Sequence, residues 1–167
     1  EVFEQLLPAP ATILDVGSGN GRDARFLSER GYRITGLDIS RSLLKLARQQ
    51  SPRARFVLGS VYEMPFATES FDGVWAVASI LHLPKDRVDQ ALSESHRVLK
   101  AGGKVLITLK EGHGEQLIES DLGHRFFAYW RQEEFGPRLE RAGFKLLEAR
   151  QRRAADQSWL VFFAERD

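Results

Sequence analysis

The stretch ILDVGSGNGRDARFLSERG, from Ile13 to Gly31, decides how the rest of this chain is arranged. A short apolar run carries Asp15 near its end, and an amphipathic segment begins at Arg22. Between them lie three glycines at alternate positions, Gly17, Gly19 and Gly21. The pattern predicts a strand, a tight turn and a helix, because glycine tolerates positive φ angles and lets a ligand approach the backbone. Open α/β sheets bind ligands at the carboxyl ends of parallel strands, so this turn predicts a site for a nucleoside-bearing cofactor.

Composition and charge are those of one ordinary domain. The chain has 167 residues, 43% of them hydrophobic, which is enough for one substantial core and too few for two domains. Its net charge of +1 gives no sign of a nucleic-acid partner or a membrane surface. The absence of cysteine excludes disulfides, cysteine-ligated zinc and a cysteine nucleophile. Because no apolar run approaches ~18 residues and no apolar leader opens the chain, we expect a cytoplasmic protein.

Five apolar segments alternate with helices or crossovers along the first two thirds of the chain. Strands are predicted at Ala11–Val16, Tyr32–Leu37, Ala54–Leu58, Phe71–Ala78 and Lys104–Leu109. Helices are predicted at Arg22–Arg30, at Arg41–Gln49 and from Pro84 to about Lys100, where Ala101-Gly102-Gly103 stops the last of them. The alternation predicts an α/β fold with a doubly wound, mostly parallel sheet and helices on both faces. A barrel is excluded because the strand count stops well short of eight.

The last third of the chain predicts one more helix and two more strands. Helical spacing returns at Glu133–Ala142, and strands are expected at Phe144–Ala149 and Trp159–Ala164. The polar segment between these two strands is too short for a crossover helix, so they should be antiparallel, giving a seven-stranded sheet with an antiparallel last strand. By contrast, Lys110–Gly123 is polar and glycine-rich, and we expect a loop there with a binding role.

Several motifs, taken in order, resemble those of class I S-adenosylmethionine-dependent methyltransferases. They are ILDVGSGNG, the acid Asp38 after the second strand, GSV after the third, FDGVWAVASILHL, and HRVLKAGGKVLIT. Each motif is weak alone, and the resemblance rests on their joint occurrence at the expected spacing from Ala11 to about Leu109. KEGHGE and RFFAYW are also similar to segments of small bacterial methyltransferases near the tellurite-resistance type. The resemblance implies a single Rossmann-like methyltransferase domain over residues 1–167, with S-adenosyl-L-methionine as cofactor and in-line transfer of its methyl group.

The resemblance also implies which residues hold the cofactor. Asp15 would support the methionyl amine above the glycine loop, and Asp38 would accept charge-assisted hydrogen bonds from both ribose hydroxyls. Ser60 stands where relatives often carry an acid that receives the adenine amine, and Ala76 would offer its backbone carbonyl to the methionyl ammonium. The predicted cofactor-binding set is Asp15, Gly17, Gly19, Arg22, Asp38, Ile39, Ser60, Val61 and Ala76.

Ordinary structural roles stay open for several of these residues. Asp38 precedes the helix cap Ser40 and can serve the helix N-terminus instead. Asp15 can tether the loop, Arg22 can be solvated surface, and Val61 can pack in the core. A nicotinamide dinucleotide would also fit a glycine-rich turn with a distal acid. That fingerprint requires Gly-x-Gly-x-x-Gly, however, and its last position is Arg22 here.

His82, in the run ASILHLP, is the candidate general base because the resemblance puts it beside the transferred methyl group. The alternative is a histidine that only shapes the pocket. His96, in a helical segment, is expected to pack against the sheet or face solvent. No His-Glu-x-x-His pattern or clustered carboxylate pair is present, so no metal is predicted.

The acceptor pocket is expected to come from the KEGHGE and RFFAYW segments. The candidate substrate-binding residues are Lys110, His113, Arg125 and Tyr129. Lys110 and Arg125 suit an anionic acceptor, whereas the alternative is that at least two of the four aromatic residues pack the tail helix onto the sheet.

The chemical class of the acceptor is narrowed by two absences. The run AVASILHLP differs from the Asn/Asp-Pro-Pro-Tyr/Phe pattern typical of transfer to amides and exocyclic base amines. The lack of cysteine argues against covalent attack on a pyrimidine. We therefore expect a small-molecule acceptor. A non-catalytic cofactor-binding or regulatory module is the second function left open, although Asp15, the glycine loop and Asp38 favour an enzyme.

Overall fold

A seven-stranded sheet forms the centre of the structure, a computed structural model that describes residues 2–120 and 123–167. The strands are β1 (Thr12–Val16), β2 (Arg33–Asp38), β3 (Arg55–Leu58), β4 (Phe71–Val77), β5 (Leu99–Lys110), β6 (Glu115–Ser120), β7 (Gly123–Ala128), β8 (Phe144–Ala154) and β9 (Gln157–Arg166). The helices are α1 (Val2–Leu6), α2 (Arg22–Ser28), α3 (Arg41–Gln50), α4 (Val88–Val98) and α5 (Gln132–Arg141), with a 3₁₀ turn at Ile80–His82.

The main sheet has the strand order β3-β2-β1-β4-β5-β9-β8. Strands β1 to β5 pair in parallel, and β9 is antiparallel to both of its neighbours. The predicted doubly wound, mostly parallel sheet with an antiparallel last strand is therefore confirmed. Because the chain winds outward in one direction from β1 and in the other from β4, the crevice beyond these two strands is the topological switch point where such sheets bind ligands.

Apolar cores cover both faces of this sheet. One core takes helical side chains from α4 and α5, and the other takes them from α1 and α2. Leu14 and Ile13 are adjacent in β1 and both fully buried, yet they belong to different cores, as the two-residue period of a strand requires. A strand buried on both faces favours apolar residues, which explains Ile13, Leu14 and Val16 and makes the buried Asp15 the exception. Within the described ranges, no helix has the length and apolar character needed to cross a membrane.

The polar segment Lys110–Gly123 is not the single loop that the sequence predicts. Glu115–Ser120 pairs with Gly123–Ala128 as an antiparallel two-stranded hairpin, β6–β7, and residues 121 and 122 of the predicted loop lie outside the described residues. The prediction was wrong because β6 is mostly polar, so its own sequence does not show the alternation of a half-buried strand. It becomes a strand by pairing with β7, which comes later in the chain. A strand of this kind is defined by its pairing and not by an apolar pattern of its own.

Two other boundaries also differ from the sequence prediction. Helix α4 ends at Val98 and β5 begins at Leu99, so Gly102 and Gly103 lie inside a long strand instead of stopping the helix. Strands β8 and β9 continue through the polar segment that joins them, down to a turn at residues 155 and 156. These extensions are exposed hairpin ends, which need backbone pairing but no apolar side chains.

Two of the four aromatic residues in RFFAYW belong to the core. Phe127 and Trp130 are buried, and the Trp130 ring meets Phe135 of α5 edge-on at 5.1 Å between centroids. Phe135 in turn contacts Phe162 of β9 at 5.1 Å. Trp130 thus helps to pack the tail helix onto the sheet, as the structural alternative predicts, whereas the ring contacts of Phe127 are with His82 and Tyr129.

Replacing Phe135 by alanine should lower the free energy of unfolding by roughly 3–5 kcal/mol, because a fully buried ring leaves a cavity between α5 and the sheet. Urea denaturation measures this change directly. Phe26→Ala is the matched control, since the Phe26 side chain is 43% exposed on α2. Equal losses in the two variants would contradict the central role of the Trp130–Phe135–Phe162 contacts.

Candidate active site

The glycine loop, residues 17–21, follows β1 at the switch point. Backbone hydrogen bonds to the end of β2 hold it in place. The N–H groups of Gly17 and Ser18 both donate to the Leu37 carbonyl, at 2.8 and 3.0 Å. Gly17 has a φ of +69°, and a Cβ there would lie 2.5 Å from the Cβ of Ser79. Gly19 has a φ of +54°, and a Cβ there would meet only the Gly17 carbonyl oxygen at 4.0 Å. Because Gly17 has no side chain, the loop can approach Ser79, which follows β4. Gly19 faces open space.

Asp15 is a buried carboxyl group without a hydrogen-bond partner. It is 3% exposed, and its Oδ2 contacts no donor among the described residues. Burial raises the pKa of Asp15 to about 8, and the negative charges of Asp23 and Asp38 add to the effect. A buried charge needs a partner, so this carboxyl suits a cationic group that would restore its ionised form.

Asp38 ties the glycine loop to the start of α3. Its Oδ2 accepts a hydrogen bond from the Gly19 N–H at 2.9 Å, and its Oδ1 accepts one from the Ser40 N–H at 2.8 Å. The tethering role that the sequence left open for Asp15 is thus performed by Asp38. Each carboxylate oxygen has a second lone pair. Asp38 can consequently hold the loop and still accept hydrogen bonds from a diol.

The residues predicted for the adenine end surround the carboxyl edges of β2 and β3. Ile39 is 78% exposed and Leu58 is 43% exposed, which are large apolar side chains left uncovered beside Asp38. The Ser60 hydroxyl accepts a hydrogen bond from the Tyr62 N–H at 3.1 Å and keeps its own proton for another acceptor. Val61 packs partly against the core, as its alternative role predicts.

Arg22 is engaged at the surface. Its guanidinium forms an ion pair with Asp23 at 2.8 Å, and its side chain is 78% exposed. The other carboxylate oxygen of Asp23 accepts a hydrogen bond from the indole N–H of Trp75 at 3.0 Å. In this structure Arg22 is therefore a solvated surface residue, as the structural alternative predicts.

The end of β4 contributes two residues that the sequence does not point to. The register of β1 with β4 ends at Asp15–Trp75, so Ala76 lies just beyond the last pair. Ala78 has a φ of +52°, a strained conformation for alanine, and its N–H donates to the Thr108 hydroxyl at 2.9 Å. The Ser79 Oγ is buried without a partner among the described residues. An alanine or a serine in a sequence does not indicate that its backbone is strained or that its hydroxyl is buried without a partner.

His82 is held by the hairpin in a defined tautomer. Its Nδ1 lies 2.7 Å from the Phe126 carbonyl oxygen, and its ring lies 4.7 Å from that of Phe127. Because a carbonyl only accepts, Nδ1 carries the proton and the lone pair is on Nε2, to which no described residue donates. Burial lowers the pKa of His82, and the charges of Arg125 and Lys110 lower it further, against the opposing effect of the Phe126 hydrogen bond. A neutral imidazole with a free Nε2 is the form that accepts a proton.

The predicted substrate-binding residues are only partly brought together. Lys110 Nζ lies 4.0 Å from the centre of the Phe127 ring, and Arg125 is exposed on β7. The Tyr129 hydroxyl donates to Gln116 at 3.4 Å within the hairpin region. His113 is exposed in the turn before β6, and its side chain makes no hydrogen bond or ion pair within the described ranges. Lys110 and Arg125 thus accompany His82, while His113 does not.

Comparison with known sequences finds methyltransferases. A family model described as "Methyltransferase domain" matches residues 14–107. Methyltransferase GfsG of Streptomyces halstedii is 36% identical over 115 residues, which are 64% of this chain and 41% of that protein. The malonyl-[acyl-carrier protein] O-methyltransferase of Salmonella typhimurium is 36% identical over 98 residues, which are 59% of this chain and 38% of that protein. The chain therefore spans about two fifths of the length of these curated relatives.

Comparison with solved structures extends the likeness to the whole chain. A SAM-dependent methyltransferase of Methanosarcina mazei shares the fold with a TM-score of 0.92 at 19% identity, over 99% of this chain and 96% of that one. The 1,6-didemethyltoxoflavin-N1-methyltransferase of Burkholderia thailandensis was solved with 1,6-didemethyltoxoflavin and S-adenosylhomocysteine bound. It has a TM-score of 0.82 at 27% identity, over 99% of this chain and 75% of that one.

Replacing Asp15 by asparagine should stabilise the ligand-free protein at neutral pH by roughly 1–3 kcal/mol. The folded-state pKa of about 8 lies above that of an unfolded aspartate, ~3.9, so the unfolded state releases this proton first. The parent therefore loses stability as pH rises from about 4 to about 8, and the variant lacks this contribution. Urea denaturation at about pH 5 and about pH 8 measures the difference. Identical pH dependence in the two proteins would contradict the buried, unpartnered carboxyl.

Proposed function

This chain belongs to the methyltransferase-domain family of class I S-adenosylmethionine-dependent methyltransferases, and from that premise we propose that it methylates a nucleophile on a small molecule. The observation that carries the proposal is the buried, unpartnered Asp15 carboxyl beside the open glycine loop. The relatives act on different acceptors, malonyl-[acyl-carrier protein] at oxygen in one case and 1,6-didemethyltoxoflavin at N1 in another. Their names therefore support the reaction class and leave the acceptor open. A cytoplasmic location stays a prediction from the sequence.

The described residues fit S-adenosyl-L-methionine, the cofactor of the family. We assign Asp15 to the methionyl ammonium, because its pKa and burial call for a cationic partner. The Ala76 carbonyl is proposed as a second acceptor for that ammonium. Arg22 is proposed for the methionyl carboxylate, which would replace the Asp23 carboxylate in the present ion pair.

The nucleoside end is assigned on the same basis. The Asp38 carboxylate, with one lone pair free on each oxygen, is proposed to accept both ribose hydroxyls. The exposed side chain of Ile39 suits one face of the adenine ring, where an aliphatic surface is covered by an aromatic one. Ser60 and Val61 are proposed to contact the adenine edge and its other side. Gly17 and Gly19 keep the loop low enough for the ligand to lie across it.

When bound, S-adenosylmethionine supplies a methyl group on positively charged sulfur, which a nucleophile displaces in line. The protein's own task is to align the acceptor and keep water out, a contribution that can reach ~7–11 kcal/mol. We propose that His82 Nε2 accepts the acceptor proton. The Phe126 carbonyl fixes its tautomer, and burial keeps the imidazole neutral. We propose that the Phe127 ring, 4.7 Å from the His82 ring, helps to keep water out.

Isothermal titration with S-adenosylmethionine and S-adenosylhomocysteine tests the proposal. We expect both to bind. The proposed residues contact the methionyl and nucleoside parts, which the two compounds share, and S-adenosylhomocysteine lacks only the transferred methyl group. Failure of both ligands to bind would contradict the assignment of the site. Binding without methyl transfer to any member of a broad panel of small hydroxy, amino and thiol compounds would instead support the non-catalytic module.

Replacing Asp38 by alanine should weaken S-adenosylhomocysteine binding by roughly 2–4 kcal/mol, because two charge-assisted hydrogen bonds are lost. The free energy of unfolding should also fall, since Gly19 and Ser40 lose their acceptor. Titration calorimetry and urea denaturation separate the two effects. Asp156→Ala, in the exposed turn between β8 and β9, is the control. A folded Asp38→Ala protein with parental affinity would rule out the ribose assignment.

Replacing His82 by asparagine should lower kcat about 10²-fold or more while S-adenosylhomocysteine affinity stays unchanged. The pH profile of the parent should rise through a pKa below the ordinary histidine value, as the burial of His82 requires. Steady-state kinetics with an acceptor from the panel measure both. His96→Asn is the control, because His96 packs against Phe144 at 5.3 Å, away from β7. A change in acceptor KM alone would leave His82 a pocket-shaping residue.

A further inference from the structure

Two cations near His82 lack a carboxylate partner. Neither Lys110 nor Arg125 forms an ion pair within residues 2–120 and 123–167. The other half-buried lysines, Lys85 and Lys104, are both paired, with Glu134 and Glu165 respectively. Among the half-buried lysines of the described ranges, Lys110 is therefore the one without a carboxylate partner. A half-buried lysine whose ammonium has a ring contact but no anionic partner is a candidate for binding an anionic ligand.

The acids nearest to Lys110 along the chain are engaged elsewhere. Glu111 follows Lys110 directly, but its carboxylate contacts the side-chain amide of Gln151. Glu115, at the start of β6, accepts a hydrogen bond from the Lys85 backbone N–H at 2.6 Å. The neighbouring charges that act on the His82 imidazole are Arg125 and Lys110, both positive. The charges that act on His82 are thus both positive, and neither is paired with a carboxylate within the described ranges.

Aromatic rings lie beside these groups. Lys110 Nζ lies 4.0 Å from the centre of the Phe127 ring, which also contacts the His82 ring at 4.7 Å. Tyr129 is half-buried just beyond β7 on the same side as Phe127, with 6.4 Å between the two ring centroids. A ligand that satisfies all of these groups has a flat apolar body and an anionic group at one edge.

We propose that the acceptor is a small planar molecule bearing a carboxylate or another oxyanion, which Lys110 and Arg125 bind while His82 Nε2 faces the atom to be methylated. The inference rests on the proposed methyltransferase function and specifies its substrate class. The anion is a handle that orients the acceptor; the neutral His82 can still take a proton from a neighbouring hydroxyl or amine. Charge-assisted contacts of this kind are about twice as strong as neutral ones, so they discriminate against uncharged analogues.

Salicylate and salicylamide are suitable probes because they have nearly the same shape and differ in charge. Both are titrated into the chain saturated with S-adenosylhomocysteine, so that binding is measured without turnover. We expect salicylate to bind at least ~10-fold more tightly than salicylamide. Lys110→Met and Arg125→Gln should each weaken salicylate binding several-fold, and the double variant should bind the two probes equally. Lys45→Gln, an exposed lysine of α3, should change nothing.

The His82 imidazole provides a second readout that a structural role of the two cations would not affect. Nuclear magnetic resonance titration of its ring signals should show a higher pKa in the double variant, and in the parent when salicylate binds. Salicylamide should leave the His82 pKa unchanged. These directions follow from removing or neutralising the two positive charges that now lower it.

Each outcome of the titration has a distinct meaning. Equal affinity for the two probes, no binding of either to the S-adenosylhomocysteine complex, or an undiminished preference in the double variant would overturn the anionic acceptor while leaving the methyltransferase proposal intact. A chain that fails to bind S-adenosylhomocysteine would overturn the proposed function, and this inference with it.

Discussion

The hydrogen bond from the Gly19 N–H to the Asp38 carboxylate joins the ends of β1 and β2, and the rest of the site depends on it. The same carboxylate accepts from Ser40 and so fixes the start of α3. With the loop held from this side and touching Ser79 on the other, Gly19 faces open space. Asp15 then stays buried beneath the loop, and its Oδ2 has no hydrogen-bond partner among the described residues. One carboxylate thus shapes the loop, and the other is left for a ligand.

The two halves of the site carry opposite charge. On the cofactor half, Asp15, Asp23 and Asp38 lie close enough that the last two raise the pKa of the first. On the acceptor half, Lys110 and Arg125 act together on His82. A cationic methyl donor fits the acidic half, and an anionic acceptor would fit the basic half. The ligand-free chain tolerates the acidic half at a cost in stability, a common consequence of building a binding site.

The hairpin β6–β7 contacts His82, the candidate general base. It supplies the Phe126 carbonyl that sets the His82 tautomer, the Phe127 ring that supports Lys110, and the Glu115 carboxylate that binds the segment after the 3₁₀ turn. The backbone of β7 therefore acts on a residue 44 positions earlier in the chain. The sequence predicts a loop with a binding role here, and the structure provides a paired element that acts through both its backbone and its side chains.

Sequence alone was sufficient for the sheet and its winding, because these depend on local signals such as apolar runs. Glycines at alternate positions and an acid at a strand end also predict a cofactor site, and its residues stay a prediction. The sequence also identified Lys110, Arg125 and His82 as residues of interest. Only the tertiary structure decided that Asp38 tethers the loop, that the Asp15 Oδ2 has no hydrogen-bond partner among the described residues, that Ala78 is strained and that the hairpin exists. Each of these depends on atoms brought together from distant parts of the chain, and a hydrogen bond to a backbone carbonyl or amide leaves no trace in the identity of the residue that supplies it.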